Sequence, residues 1–172
     1  EAVVAFRNYL SIITGSPGTG KTTVLKAIIE AFKCIKPDGK IVLAAPTGKA
    51  SRRMAESTGF QDAKTLHSLL GLLYETGYTT NKNSELLNAD LIIVDESSMI
   101  DMWLANQFFS RVRMGTKIVL VGDVDQLQSV GAGDVFRELI SCGLIPVTVL
   151  NEIFRQSKES RIAYNAQKIN QG

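Results

Sequence analysis

The chain has 172 residues, enough for one domain with a full hydrophobic core, and its 45% hydrophobic share argues against disorder. Its 2 cysteines, Cys34 and Cys142, cannot make a disulfide framework or a four-ligand zinc site, and no apolar run approaches the ~18 residues of a membrane span. With 19 Lys and Arg against 17 Asp and Glu the net charge is +2, which neither demands nor excludes nucleic acid, so any such partner must be argued from motifs.

In chain order, the apolar run 10–13 predicts a buried strand, and Val24, Leu25, Ile28, Ile29, Phe32 and Ile35 predict a helix after it. A second strand is expected at 41–44. Pro46 and Thr47 follow it, then a helical pattern carrying Lys49, Arg52 and Arg53, with Thr47 as a candidate N-cap. Residues 58–88 read as a long excursion with one helical patch at 65–73, and long insertions in compact domains tend to be functional. Further strands are expected at 91–94, 118–121 and 147–150. Between them Met102, Leu104, Ala105, Phe108, Phe109 and Val112, and then Val135, Phe136, Leu139 and Ile140, repeat at helical spacing; Trp103 reads as core and Asp134 as a helix cap. A last helix is expected at 160–171. Apolar strands alternating with helices mean parallel pairing through right-handed crossovers, so the fold class is α/β, a three-layer arrangement around a mostly parallel sheet.

Gly15-Ser16-Pro17-Gly18-Thr19-Gly20-Lys21-Thr22 fits the phosphate-loop pattern between a strand and a helix. Gly15, Gly18 and Gly20 are expected to supply positive φ and close approach to phosphate oxygens, and consecutive N–H groups through Thr23 form an anion nest at the helix start. Lys21 is placed to neutralise the β- and γ-phosphates, and the Thr22 hydroxyl to ligate Mg²⁺. Asp95 and Glu96 end the third apolar strand, at the crevice where parallel sheets bind ligands. Asp95 suits the magnesium shell and Glu96 the activation of water, which favours hydrolysis of ATP over phosphoryl transfer to a metabolite. Gln126, after the fourth strand, can sense a γ-phosphate, while Asp123 and Asp125 also fit ordinary turn chemistry.

With these motifs the chain resembles the superfamily 1 DNA helicases of the RecD type, including the exodeoxyribonuclease V alpha subunit. The phosphate loop resembles motif I; Ala45-Pro46-Thr47-Gly48-Lys49-Ala50 motif Ia; Thr65-Leu66-His67-Ser68-Leu69-Leu70 the segment before motif II; and Asp95-Glu96-Ser97-Ser98-Met99 motif II. Gly122-Asp123-Val124-Asp125-Gln126-Leu127 with Ser129-Val130-Gly131-Ala132-Gly133 resembles motif III, and Asn151-Glu152-Ile153-Phe154-Arg155-Gln156 motif IV. The resemblance implies a RecA-like fold with the motif III strand between those of motifs I and II. It implies ATP and Mg²⁺ as ligands, Gln126 as the coupler of γ-phosphate to DNA, and Arg155 as an arginine finger. On local grounds alone, Arg155 reads as a surface ion pair rather than a finger.

Single-stranded DNA is the partner the resemblance implies, with Pro46, Thr47, Lys49 and His67 as contacts. On local grounds Thr47 is an ordinary cap beside a solvated basic face, and a lone histidine such as His67 is more often a packed or capping residue. Tyr74 and Tyr78 are candidate stacking rings. Residues 1–172 are expected to form a single RecA-like ATPase domain of a longer cytoplasmic helicase, whose second motor domain lies elsewhere in the parent chain; the parent is a lone helicase, part of a conjugation relaxase, or a protein partnered by nuclease-complex subunits. Alone, this piece is expected not to unwind duplex. The competing reading is an ATP-binding scaffold without translocation.

Overall fold

The computed structural model describes residues 6–75, 78–81, 85–126 and 131–151, with 73–75 and 78–81 as backbone only. Strand β1 (Leu10–Gly15) leads through the glycine-rich loop into helix α1 (Lys21–Ile35); β2 (Ile41–Ala45) leads into α2 (Gly48–Thr58). The excursion holds β3 (Lys64–Thr65), a single helical turn α3 (Leu66–Leu69), and the strands β4 (Leu72–Glu75) and β5 (Tyr78–Asn81). Then come β6 (Leu91–Val94), a 3₁₀ turn (Ser97–Met99), α4 (Met102–Phe109), β7 (Lys117–Gly122), α5 (Val135–Ser141) and β8 (Val147–Leu150).

Among the described residues, six strands form one sheet in the order β3-β2-β6-β7-β1-β8, every pair parallel. β7 lies between β1 and β6, so the strand before Asp123 separates the one before the phosphate loop from the one before Asp95. All five strands read from the sequence are present, each within about a residue or two of its expected bounds. Side chains alternate between two cores, as the two-residue period of a strand requires. Ile13, Leu43, Leu91, Ile93, Val119 and Val121 pack with Leu25, Ile28 and Phe32 of α1 and Met54 of α2. Ile12, Ala44, Ile92, Val94, Ile118 and Leu120 face the other way, toward Leu66 of α3, Leu104 and Phe108 of α4, and Phe136 of α5. That is a three-layer α/β fold with both sheet faces covered.

Capping fixes where the helices start. Thr47 Oγ1 accepts from Ala50 N at 3.2 Å, Asp101 Oδ1 from Leu104 N at 2.8 Å, and Asp134 Oδ1 from Arg137 N at 3.3 Å. Gly59, at φ 73°, closes α2.

The excursion departs from expectation. The helical patch at 65–73 is one turn, because Gly71 takes φ 60° and turns the chain into β4, which pairs antiparallel with β5. α4 ends at Phe109 rather than Val112, since Val112 bridges to Leu87 and the Arg111 carbonyl accepts from Leu87 N at 2.8 Å. Trp103, expected in the core, is 42% exposed; the buried face of α4 is made by Leu104, Ala105 and Phe108. The expected helix at 160–171 lies outside the described residues. Among those described, no helix is long and apolar enough to cross a membrane.

Asp90 ties the sheet's amino edge together. Its carboxylate accepts from Lys36 Nζ at 2.6 Å and from Lys40 N at 2.7 Å, and these two bonds hold its carboxyl below the ordinary carboxylate range. A pKa lowered by folding stabilises the fold above the unfolded value, about 4 for Asp, and the gain is lost as pH falls through the folded value. Asp90→Asn is therefore expected to lower the melting temperature at pH 7 but to converge with wild type at about pH 2. Parallel melting curves at both pH values check this.

Candidate active site

The glycine-rich loop joins two buried elements at the centre of the sheet's carboxyl edge. Gly18 and Gly20 adopt φ 87° and 85°, where an L side chain would be strained. Gly15 corrects the expectation: it has no positive φ, and its requirement is space. A Cβ there would meet Thr19 Oγ1 at 2.6 Å and the Leu150 carbonyl at 2.8 Å. Thr19 is buried, and its hydroxyl donates to the Ser16 carbonyl at 2.8 Å, closing the turn around the exposed Pro17. Lys21 Nζ reaches back across the loop, donating to the Gly15 carbonyl and to the Ser16 carbonyl at 3.2 Å. Gly20 caps α1 without a side-chain hydrogen bond, and the first turn, with Lys21, Thr22 and Thr23, holds no acidic residue. The positive end of the α1 dipole therefore meets the loop without a carboxylate to offset it.

Two strands away, Asp95 is one residue past β6, its N–H bonded to the Ala44 carbonyl at 2.9 Å. Glu96 follows at φ 52° and ψ 38°, the one non-glycine with positive φ among the described residues. This costly conformation is held by its surroundings. Asp95 Oδ1 accepts from Glu96 N at 2.9 Å, Ser97 Oγ donates to the Val94 carbonyl at 2.9 Å, and Met99 N donates to the Glu96 carbonyl at 3.0 Å.

Burial raises the pKa of both carboxyls. For Asp95 the hydrogen bond from Glu96 N opposes it, then the charges of Lys21 and Arg53. For Glu96 the neighbouring Asp95 adds to the rise, Lys21 and Arg53 oppose it, and Asp123 adds a little more. Lys21, Arg53, Asp95, Glu96 and Asp123 thus share one electrostatic neighbourhood, built from the ends of β1, β6 and β7 and the flank of α2. Arg53 was legible only as one of three basic residues on a helix.

Asp123 follows the turn reading: its carboxylate accepts from Asp125 N at 3.0 Å, and its carbonyl accepts from Gln126 N at 3.3 Å. This turn sets half-buried Gln126 just beyond the tip of β7. Gly122 before it is required by space, since a Cβ would lie 2.9 Å from the Phe136 ring and 3.1 Å from Ser98 N.

The expected DNA contacts sit on the other half of the same edge. Ala45 pairs with Thr65, so Thr47 and His67 each lie two residues beyond adjacent positions of β2 and β3. Pro46 and Thr47 form the entry to α2, and Gly48, Lys49, Arg52, Arg53 and Glu56 line an open groove of about 540 Å³. His67 is exposed, with its ring centroid 6.5 Å from that of Trp103. Arg155, Leu127, Ser129 and Val130 lie outside the described residues, as do motif IV beyond Asn151 and the side chains of Tyr74 and Tyr78.

The residues present fit a nucleotide triphosphate with a hard divalent cation. The loop packs tightly at Gly15, where a Cβ would meet Thr19 and Leu150, and the donors at the strand ends are oxygens: the Thr22 hydroxyl at the start of α1 and the half-buried Asp95 carboxylate just past β6. No cluster of three or more His, Cys, Asp or Glu suited to a metal occurs among the described residues.

The family described as an AAA domain matches the chain over residues 1–172. The chain belongs to that family. This AAA domain is also similar to the RecBCD enzyme subunit RecD of Mycolicibacterium smegmatis, 38% identical over 160 residues, covering 81% of this chain and 29% of that protein. The ATP-dependent RecD2 DNA helicase of Deinococcus radiodurans is 38% identical over 153 residues, covering 89% of this chain and 20% of the relative. Pif1 helicase of Candida albicans superposes with a TM-score of 0.71 at 25% identity, over 98% of this chain and 42% of that one. Bacteroides Pif1 bound to ssDNA superposes with a TM-score of 0.62 at 29% identity, over 92% and 42%. The domain thus spans less than a third of these two curated relatives and under half of the two Pif1 chains. The likeness to RecD-type helicases read from the motifs is met by these relatives.

Proposed function

We propose that this AAA domain is the first motor domain of a cytoplasmic RecD-type helicase. It binds and hydrolyses ATP and contacts single-stranded DNA, and a second motor domain and nuclease-complex subunits complete the assembly. The observation that carries this reading is the parallel register of β1, β7 and β6, whose neighbouring carboxyl ends carry the glycine-rich loop, the Asp123 turn and the Asp95–Glu96 pair. The relatives named as ATP-dependent helicase and RecBCD subunit support it. The exposed free thiols of Cys34 and Cys142 suit a reducing cytoplasm.

In this reading Lys21 exchanges its bonds to the Gly15 and Ser16 carbonyls for the phosphates, and the N–H groups of the loop and first helical turn, Pro17 excepted, cradle them. Thr22 and Asp95 would hold magnesium, which would supply neutralisation of charge on the phosphate oxygens. Glu96 accepts a proton from the attacking water, Gln126 reports the γ-phosphate to the DNA track, and Arg155 stabilises charge developing on the phosphoryl group. Pro46, Thr47, Lys49 and His67 contact DNA, with Lys49 supplying charge to a backbone phosphate.

The test is nucleotide turnover by the full-length parent with and without a single-stranded oligonucleotide. Turnover is expected to rise when the oligonucleotide is added, and that rise is expected to be lost when the 172-residue piece is assayed without its second motor domain. Absence of both DNA binding and DNA-stimulated turnover in the parent would remove the reading.

A further inference from the structure

An aromatic pair stands in the open at the end of the sheet that holds the expected DNA contacts. Trp103 is 42% exposed and the His67 ring lies 6.5 Å from it, tilted by 32°. Met99 and Met102 beside it are 42% and 56% exposed, so one short segment leaves three large apolar side chains in water. Exposed apolar side chains gathered in one short segment form a candidate contact surface.

The backbone that carries both rings is anchored. His67 sits between Leu66 and Leu70, which are 0% and 1% exposed. Thr65 Oγ1 caps its turn by accepting from Ser68 N at 3.1 Å, and the buried Arg111 guanidinium donates to the Leu70 carbonyl. Trp103 lies two residues after Asp101, whose carboxylate caps α4, and Met102 N donates to the Ala132 carbonyl at 3.1 Å. A ring on an anchored backbone needs less ordering when something stacks on it than one on a loose loop.

We propose that Trp103, with His67 beside it, is a stacking platform for a base of single-stranded DNA. The inference rests on the DNA-binding reading given above and adds to it a residue that no motif marked. The occupant is argued from what adjoins the rings. β3 leads into His67 and pairs with β2, which leads into Thr47, Lys49 and the groove with Arg52. The rings and the cationic groove follow from the same end of neighbouring strands, and a nucleotide strand crossing that end would offer bases to the rings and phosphates to the cations.

The experiment uses the full-length parent and two probes of equal length, an oligothymidylate and an oligonucleotide whose central residues are abasic. Trp103→Ala is expected to weaken binding of the oligothymidylate about tenfold, within the range of one base stacked on one ring, and to leave the abasic probe unchanged. Trp103→Phe keeps a ring and is expected to retain most of the affinity; it also guards against misfolding of the alanine variant. Equal weakening on both probes overturns the proposal in favour of a packing or domain-interface role for Trp103. No change on either probe, with wild type binding both, overturns the proposal and leaves the DNA-binding reading standing. Failure of wild type to bind either probe overturns both.

Discussion

Glu96→Gln in the full-length parent is expected to lower the maximal rate of ATP hydrolysis by about 10²–10⁴-fold, the usual worth of a positioned general base, while leaving nucleotide affinity within a few-fold. Glutamine keeps the size of the side chain but cannot accept the proton. The residue's setting is why the effect should be this large. Glu96 is held in a left-handed backbone by the 3₁₀ turn at Ser97–Met99, and its carboxyl is raised by burial and by Asp95. Both features suit a group poised for proton transfer better than a solvated strand end. Phosphate release under multiple turnover, paired with equilibrium titration of a fluorescent nucleotide, checks the separation of rate from affinity. An ATP-binding scaffold would keep its biological role in this variant, whereas a motor would lose it.

Lys21→Ala is expected to damage binding and turnover together. The ammonium is the cation nearest the loop carbonyls, and it also acts on Asp95 and Glu96. Removing a charge-assisted contact to phosphate is expected to cost about 10- to 100-fold in ATP affinity. Hydrolysis is expected to fall by about 10²–10³-fold more, since charge builds on the phosphoryl oxygens in the transition state. Calorimetric titration with a non-hydrolysable ATP analogue and a phosphate-release assay measure the two effects separately. A melting temperature close to wild type would show that the loop's loss of its two carbonyl contacts has not unfolded the β1–α1 junction.

The buried strands were legible because each apolar run lacks polar alternation, and only a sheet covered on both faces makes such runs. Thr47 and Asp134 were legible as caps because a short oxygen-bearing side chain before a helical pattern has few other uses. What stayed hidden depends on the third dimension. Met102 and Trp103 begin an apolar helix, and periodicity alone does not say which side faces water when Leu104 and Ala105 follow at once. Gly15 and Gly122 are glycines for lack of room against Leu150 and Phe136, partners far along the chain. Arg53 is indistinguishable in sequence from Lys49 and Arg52. Only the crossover that lays α2 beside β2, next to β6, brings its charge to the acidic pair. The short strand β3 has 2 residues and no pattern of its own.

The account stands on the convergence of the tips of β1, β6 and β7 upon one triphosphate, and a crystal structure with magnesium and a non-hydrolysable ATP analogue tests it most directly. The account predicts the γ-phosphate within hydrogen-bonding reach of Lys21, the metal on Thr22 with Asp95 in its shell, and Glu96 and Gln126 facing the far side of that phosphate. Nucleotide seated away from the glycine-rich loop, or Glu96 turned from the γ-phosphate with no space for water between them, would contradict it.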